Sequence, residues 1–164
     1  MFSDEIQSLA QRVVGVCREK RWMMATAESC TGGLIAAAIT SVPGASAVLD
    51  RGLVTYSNSA KQVLLGLSTG LLEEHGSVSE EAARAMAAGV LTGSLAKLSV
   101  ATTGIAGPTG GSAYKPVGLV HFACVSPSGV AHHEARYGDL GREAIQLAST
   151  TTALQMLLTA AEAG

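Results

Sequence analysis

Apolar and polar residues alternate along this chain in blocks that predict helices and strands in turn. From Ile6 to Cys17 the apolar residues recur at helical spacing, and Ser3 stands where a helix cap is expected. Short apolar runs predict five strands, at 22–27, 48–56, 98–103, 117–125 and 130–137. Further helices are predicted at about 31–41, 60–65 and 142–161, and one more begins at a capping box, Ser77-x-x-Glu80.

The order of these elements predicts the fold class. Helices separate the early strands, and a short Pro/Gly connection at 126–129 joins the last two strands as an antiparallel hairpin. We therefore expect an α/β protein, a three-layer α/β/α sandwich with a mixed, mostly parallel sheet of about five strands, one of them antiparallel. No linker interrupts residues 1–164, so we expect a single domain. The last helix carries two apolar stripes, which favours a homo-oligomer with one stripe at the subunit interface.

Composition narrows the possible functions. Hydrophobic residues make up 48% of the chain and charged residues 15%, which is typical of a compact globular protein. The net charge is −2 and there is no basic run, so we expect no nucleic-acid binding. No apolar run is long enough to suggest a membrane span. Three cysteines without zinc spacing, and Asp4 and Glu5 where a signal peptide needs basic residues, indicate a cytoplasmic protein.

Three polar loops directly follow predicted strands. They read AESCTGG at 27–33, YSNSAK at 56–61 and TTGIAGPTGG at 102–111. Ligands bind at the carboxyl ends of strands in open α/β sheets, so we expect these loops to meet in one site.

Ser29 and Lys61 are the candidate catalytic pair. Ser29 lies on a strand-to-helix turn, where a serine is either a helix cap or a nucleophile. Lys61 lies in the first turn of a helix, where the dipole and burial lower a lysine's pKa, as a general base requires. The alternative is an exposed lysine. Tyr56 is a candidate to assist the proton transfer, or it is simply an aromatic residue of the sheet. Cys30 is expected to be inert, because the sequence offers no obvious histidine partner for it.

The glycine-rich loop at 104–111 allows two interpretations. It lacks the lysine and serine of a P-loop and leads into a strand, so it is not a dinucleotide fingerprint. Its glycines permit close approach to an anion or a planar ring, but an ordinary surface loop fits equally well. Arg142 opens the last helix and is a candidate for a phosphate or carboxylate contact, or a surface residue. The four histidines show no metal spacing, so we expect no metal site.

Taken together, the three motifs resemble the CinA C-terminal domain family, and the resemblance extends over nearly the whole chain. The stand-alone members of that family are nicotinamide-nucleotide amidohydrolases. The resemblance therefore implies hydrolysis of the carboxamide of nicotinamide mononucleotide to nicotinate mononucleotide and ammonia, without a cofactor. It implies Ser29 as nucleophile and Lys61 as base, with Tyr56 assisting. It also implies a fold similar to anticodon-binding domains, and a homo-oligomer.

The same resemblance suggests how a nucleotide substrate is held. Backbone N–H groups at the start of the predicted helix at 31–41 are expected to stabilise the oxyanion, and the glycine loop is expected to hold the nucleotide. The expected substrate-binding residues are Thr31, Gly32, Gly33, Thr103, Gly104, Gly107, Gly110 and Arg142. Gln146 departs from the family pattern, because members often carry a second arginine there, and this puts one phosphate contact in question.

Two other functions stay open on the sequence alone. One is a non-catalytic nucleotide-binding or adaptor module, and the other is an amidase that acts on a different small amide. Release of ammonia from nicotinamide mononucleotide distinguishes both from the first hypothesis.

Overall fold

A mixed sheet of five strands forms the middle layer of the protein in the computed structural model, which describes residues Met1–Gly164. The strands are β1 (Met24–Glu28), β2 (Leu49–Val54), β3 (Leu98–Gly104), β4 (Leu119–Ser126) and β5 (Gly129–Arg136). They lie in the order β2-β1-β3-β4-β5. β1 pairs in parallel with β2 and β3, while β4 pairs antiparallel with β3 and β5. Only β4 therefore runs against the others, which confirms the expected sheet.

Helices cover both faces of this sheet. They are α1 (Asp4–Lys20), α2 (Leu34–Thr40), α3 (Asn58–Leu65), α4 (Thr69–His75), α5 (Glu80–Gly89) and α6 (Arg142–Ala163). A single 3₁₀ turn lies at Ala45–Ala47. α6 packs on β3 and β4 together with α1 and α2, and α5 packs on the same strands together with α3 and α4. The three-layer α/β/α sandwich is confirmed.

The two faces of the sheet carry different cores. Alternate residues of a strand point to opposite faces, so Val100 lies in the core under α6 while Ala101 lies in the core under α5. The α6 side holds 26 buried apolar residues and the α5 side holds 11. Most of the α5 side is alanine, including Ala27 and Ala123, so this helix approaches the sheet closely. None of the helices combines the length and the hydropathy that a membrane span requires.

Helix α6 is apolar on two sides because it has two neighbours within the chain. It contacts β3 and β4 on one side and α1 on another. Leu154 and Leu158 are fully buried among these elements. Thr152 and Met156, in the other stripe, are only half-buried within the chain, so a subunit interface along α6, and with it the homo-oligomer, stays a prediction.

Serine caps fix where several helices begin. The Ser3 hydroxyl accepts a hydrogen bond from the Ile6 N–H, as predicted, and Ser57 caps α3 in the same way. The cap of α5 is Ser79, whose hydroxyl accepts from the Ala82 N–H at 3.1 Å. The predicted capping box at Ser77 was therefore two residues too early. This leaves Ser77 free to form part of the site described next.

Candidate active site

A polar cavity of about 170 Å³ lies at the carboxyl ends of β1 and β3. Its lining comes from all three polar loops, from the segment before α5 and from the start of α6. The lining residues are Ser29, Cys30, Tyr56, Lys61, Ser77, Val78, Thr103, Gly104, Ala106 and Arg142. A wider groove of about 360 Å³ lies between α6 and β5, but its only ionisable group is the buried thiol of Cys124. Of these two cavities, only the smaller one therefore holds both a hydroxyl nucleophile candidate and an amine.

Ser29 lies on the tight turn that follows β1. Its N–H donates to the Thr102 carbonyl at 3.0 Å, and its carbonyl accepts from the Gly32 N–H at 3.1 Å. The following helix, α2, begins only at Leu34 and has no side-chain cap. Ser29 is therefore not a helix cap, and its hydroxyl is directed to Lys61 instead.

Lys61 lies in the first turn of α3 with its side chain inside the protein. It is 1% exposed, and its amine makes no salt bridge with any carboxylate. The Nζ atom lies 2.8 Å from the Thr55 carbonyl oxygen and 3.1 Å from Ser29 Oγ. Burial lowers the pKa of Lys61, with a smaller opposing effect from Cys30. A neutral amine can donate to Thr55 and accept the Ser29 proton, which is the geometry of a general base.

Cys30 lines the cavity beside Ser29, but burial makes its thiol unreactive, because burial disfavours the charged form of a group. Burial raises the pKa of Cys30 to about 12, and a backbone hydrogen bond opposes this only in part. At neutral pH the thiol is therefore protonated, whereas the nucleophilic form of cysteine is the thiolate.

Tyr56 contacts Arg142 rather than the catalytic pair. Arg142 donates to the Tyr56 hydroxyl at 2.6 Å and to the Gly107 carbonyl at 2.9 Å. Tyr56 is 62% exposed and makes no hydrogen bond to Lys61 or Ser29. The tyrosine hydroxyl thus lies with Arg142 and Gly107 in a bridge at the cavity mouth. Because Tyr56 lines the same cavity as Ser29 and Lys61, its assistance in the proton transfer stays a prediction.

The backbone N–H groups at the start of α2 are already occupied. The N–H groups of Gly33, Ile35 and Ala36 all donate to the carboxylate of Glu28. The Thr31 hydroxyl donates to the same carboxylate at 2.7 Å. Of the N–H groups expected to form an oxyanion hole, those of Gly33, Ile35 and Ala36 are therefore not available, whereas that of Thr31, the first residue of the predicted helix, donates to no backbone carbonyl. Thr31, Gly32 and Gly33 do not line the cavity.

The glycine-rich loop contributes only its first part to the site. Thr103 lines the cavity and its hydroxyl donates to the Ser77 carbonyl at 2.5 Å. Gly104 also lines the cavity. A Cβ there would lie 2.6 Å from the Val120 side chain, so close packing against β4 is enough to explain the glycine. The Gly107 carbonyl holds Arg142. Gly110 is exposed and lies outside the cavity lining.

Sequence reasoning missed several residues of the site. Ser77, Val78 and Ala106 line the cavity, but no motif in the sequence marks them as site residues. Ser77 could have been considered for the site if Ser79 had been recognised as the cap of α5. Gln146 was noted only as a missing arginine. Its Nε2 donates to the Cys30 carbonyl at 2.9 Å, so it braces the turn that carries Ser29 from α6.

The fold and the site together define an α/β protein with a buried serine–lysine pair. The family model of the CinA C-terminal domain matches residues 6–161, and the chain belongs to this family. No group of three or more histidine, cysteine, aspartate or glutamate side chains is arranged to hold a metal ion.

Curated relatives of this chain differ in length. The chain is 44% identical over 158 residues to nicotinamide-nucleotide amidohydrolase PncC of Enterobacter agglomerans, and the match covers 96% of each protein. It is 47% identical over 137 residues to a putative competence-damage inducible protein of Caldicellulosiruptor bescii, but spans only 33% of that protein. The chain thus spans about a third of the longer relatives.

Solved structures of relatives have the same fold. The crystal structure of the competence/damage inducible protein CihA from Agrobacterium tumefaciens matches with a TM-score of 0.95 at 53% identity, covering 97% of both chains. A CinA superfamily protein from Klebsiella pneumoniae matches with a TM-score of 0.91 at 32% identity, covering 97% of this chain and 99% of that one.

Proposed function

We propose that this protein hydrolyses the carboxamide of nicotinamide mononucleotide to give nicotinate mononucleotide and ammonia. The observation that carries the proposal is the hydrogen bond between Ser29 Oγ and the buried, salt-bridge-free amine of Lys61. This is the arrangement that an amidase of the Ser–Lys type uses. The substrate is proposed from the full-length relative, whose name is nicotinamide-nucleotide amidohydrolase.

In the first half of the reaction, Ser29 Oγ attacks the carboxamide carbon while the Lys61 amine takes the serine proton. The carbonyl oxygen becomes an oxyanion. The bond from carbon to nitrogen then breaks, and Lys61 returns its proton to the departing nitrogen, which leaves as ammonia. An ester between Ser29 and the nicotinoyl group is left on the enzyme.

In the second half, a water molecule attacks the ester carbon and gives its proton to Lys61. The bond between that carbon and Ser29 Oγ breaks, and the proton returns from Lys61 to the serine. The free acid, nicotinate mononucleotide, is released. The Thr55 carbonyl holds the lysine amine at 2.8 Å throughout and keeps its lone pair towards Ser29.

The oxyanion needs donors other than the N–H groups of α2, because those are bound to Glu28. The N–H groups of Cys30 and Thr31 donate to no backbone carbonyl and to no side chain of another residue. They directly follow the nucleophile along the chain. We assign the oxyanion to them, since one such donor typically contributes about 3–4 kcal/mol to transition-state stabilisation.

The cavity suits one end of the substrate. At about 170 Å³ it is smaller than the roughly 300–1,000 Å³ typical of ligand pockets. It therefore takes the carboxamide and its ring, and the ribose phosphate lies at the mouth, where Arg142 is exposed. Arg142 uses two N–H groups on Tyr56 and Gly107, which leaves further donors of its guanidinium for the phosphate.

Ammonia release from nicotinamide mononucleotide tests the proposal. We expect ammonia and nicotinate mononucleotide in equal amounts from the wild-type protein and none from Ser29→Ala. Free nicotinamide and asparagine serve as comparison amides. Binding of the mononucleotide without ammonia would favour a non-catalytic module, and ammonia from another amide alone would assign a different substrate.

A further inference from the structure

Glu28, the residue before Ser29, has an unusual environment for a carboxylate. It is 0% exposed and forms no salt bridge, although a buried charge is normally paired. Five hydrogen bonds satisfy it instead. They come from the Thr26 hydroxyl (3.2 Å), the Thr31 hydroxyl (2.7 Å) and the N–H groups of Gly33 (3.0 Å), Ile35 (3.1 Å) and Ala36 (2.8 Å).

This network has a defined direction that leads back to the nucleophile. Because the Thr31 hydroxyl gives its hydrogen to Glu28, the Thr102 hydroxyl, 2.9 Å away, must donate to Thr31. The backbone carbonyl of the same Thr102 accepts the Ser29 N–H at 3.0 Å. The Glu28 carboxylate therefore holds both sides of the turn that carries Ser29.

The backbone of Glu28 reaches the general base as well. Its carbonyl accepts the Thr55 N–H at 2.8 Å, and the Thr55 carbonyl accepts from Lys61 Nζ at 2.8 Å. One residue, Thr55, thus connects the Glu28 backbone to the base, and two, Thr31 and Thr102, connect its carboxylate to the nucleophile.

We propose that Glu28 is a positioning residue for the amide hydrolysis. Its carboxylate fixes the turn so that Ser29 Oγ lies within reach of Lys61, and it binds the N–H groups of α2 so that those of Cys30 and Thr31 face the reaction. The inference rests on the proposed function. The position of Ser29 relative to Lys61 can also be tested without the substrate, by a chemical reagent that modifies Ser29.

Four variants test this role. Glu28→Gln places an NH₂ group against N–H and O–H donors, which disrupts the network. Thr31→Val removes one donor to the carboxylate and the link to Thr102, whereas Thr31→Ser keeps both. Ser99→Ala is the matched control, because it also removes a buried hydroxyl on the sheet, one that donates to the Ala87 carbonyl at 2.7 Å away from the cavity.

Two rates are measured at a temperature where circular dichroism shows each variant folded. One is turnover of nicotinamide mononucleotide, and the other is modification of Ser29 by phenylmethylsulfonyl fluoride. We expect Glu28→Gln and Thr31→Val to lower kcat and the modification rate together by about 10–100-fold, with KM changed less than about threefold, since small misplacements of reacting groups have effects of this size. Thr31→Ser should recover the rates lost in Thr31→Val, and Ser99→Ala should match the wild type.

A Thr31→Val protein with wild-type kcat and modification rate would overturn the proposal, as would equal losses in Thr31→Val and Ser99→Ala. If Glu28→Gln does not fold, the pair Thr31→Val and Thr31→Ser decides alone. Failure of the proposed function looks different: the wild type would release no ammonia, while the modification rates would still follow the expected order.

Discussion

Replacing Lys61 with methionine removes the amine but keeps an unbranched side chain of similar length in the same buried space. The amine lies 3.1 Å from Ser29 Oγ, and no other side chain donates to or accepts from that hydroxyl. A general base typically contributes about 10²–10⁴-fold to rate, so we expect kcat to fall by that factor. KM should change little. Lys61→Arg should fail as well, because a guanidinium stays protonated.

The same variant has a second, independent effect on stability. Burial lowers the pKa of Lys61 from its ordinary value of 10.5. In the interval between the folded-state pKa and 10.5 the unfolded chain binds more protons than the folded one, so the wild-type free energy of unfolding rises with pH there. Each pKa unit of lowering corresponds to about 1.4 kcal/mol. Lys61→Met has no such titration, although it leaves the Thr55 carbonyl unpaired at every pH.

Urea unfolding at several pH values between about 7 and 10, combined with kcat at each pH, measures both effects. The stability of Lys61→Met relative to the wild type should be greatest at the low end of this interval and decrease as the pH rises. Wild-type kcat/KM should rise with pH through one ionisation below 10.5. Lys97→Met, at an exposed lysine, is the control and should follow the wild type. A Lys61→Met protein with wild-type kcat and the same stability profile as the wild type would refute the reasoning.

Further variants test the other groups of the site. Ser29→Ala should abolish turnover but retain nucleotide binding, measured by calorimetry. Cys30→Ala should stay active, because burial raises the pKa of the Cys30 thiol to about 12 in the wild type. The reverse pattern would make the thiol the nucleophile. Arg142→Ala should raise KM for nicotinamide mononucleotide far more than for nicotinamide riboside, which lacks the phosphate, and equal effects would exclude a phosphate contact. Gln146→Leu removes the hydrogen bond to the Cys30 carbonyl and should lower kcat about tenfold, whereas an unchanged kcat would show that the turn is held without it.

Local patterns were enough to predict the sheet and that Ser29 and Lys61 lie together. Ser29 directly follows the buried strand β1, and Lys61 lies in the first turn of the helix that follows the half-exposed edge strand β2. The carboxyl ends of parallel strands meet at one edge of a sheet. Helix α4 was missed for a physical reason. None of its residues is buried, so its sequence carries no apolar periodicity from which a helix could be predicted.

Contacts between distant residues were beyond the sequence patterns. The bond from Arg142 to Tyr56 joins residues 86 apart, and the bond from Gln146 to the Cys30 carbonyl joins residues 116 apart. The expected oxyanion hole is changed in part by a contact within one motif. The N–H groups of α2 were treated as free, although Glu28 occupies them from within the same motif.

The most direct test of the account is the identity of the covalent intermediate. Nicotinamide mononucleotide is mixed with the wild-type protein, the reaction is stopped by acid within milliseconds, and the digested protein is examined by mass spectrometry. We predict an acyl adduct on the side chain of Ser29, formed at the rate of the first ammonia released and absent from Lys61→Met. An adduct on Cys30, or ammonia released with no adduct on Ser29 at any time, would contradict a serine–lysine mechanism.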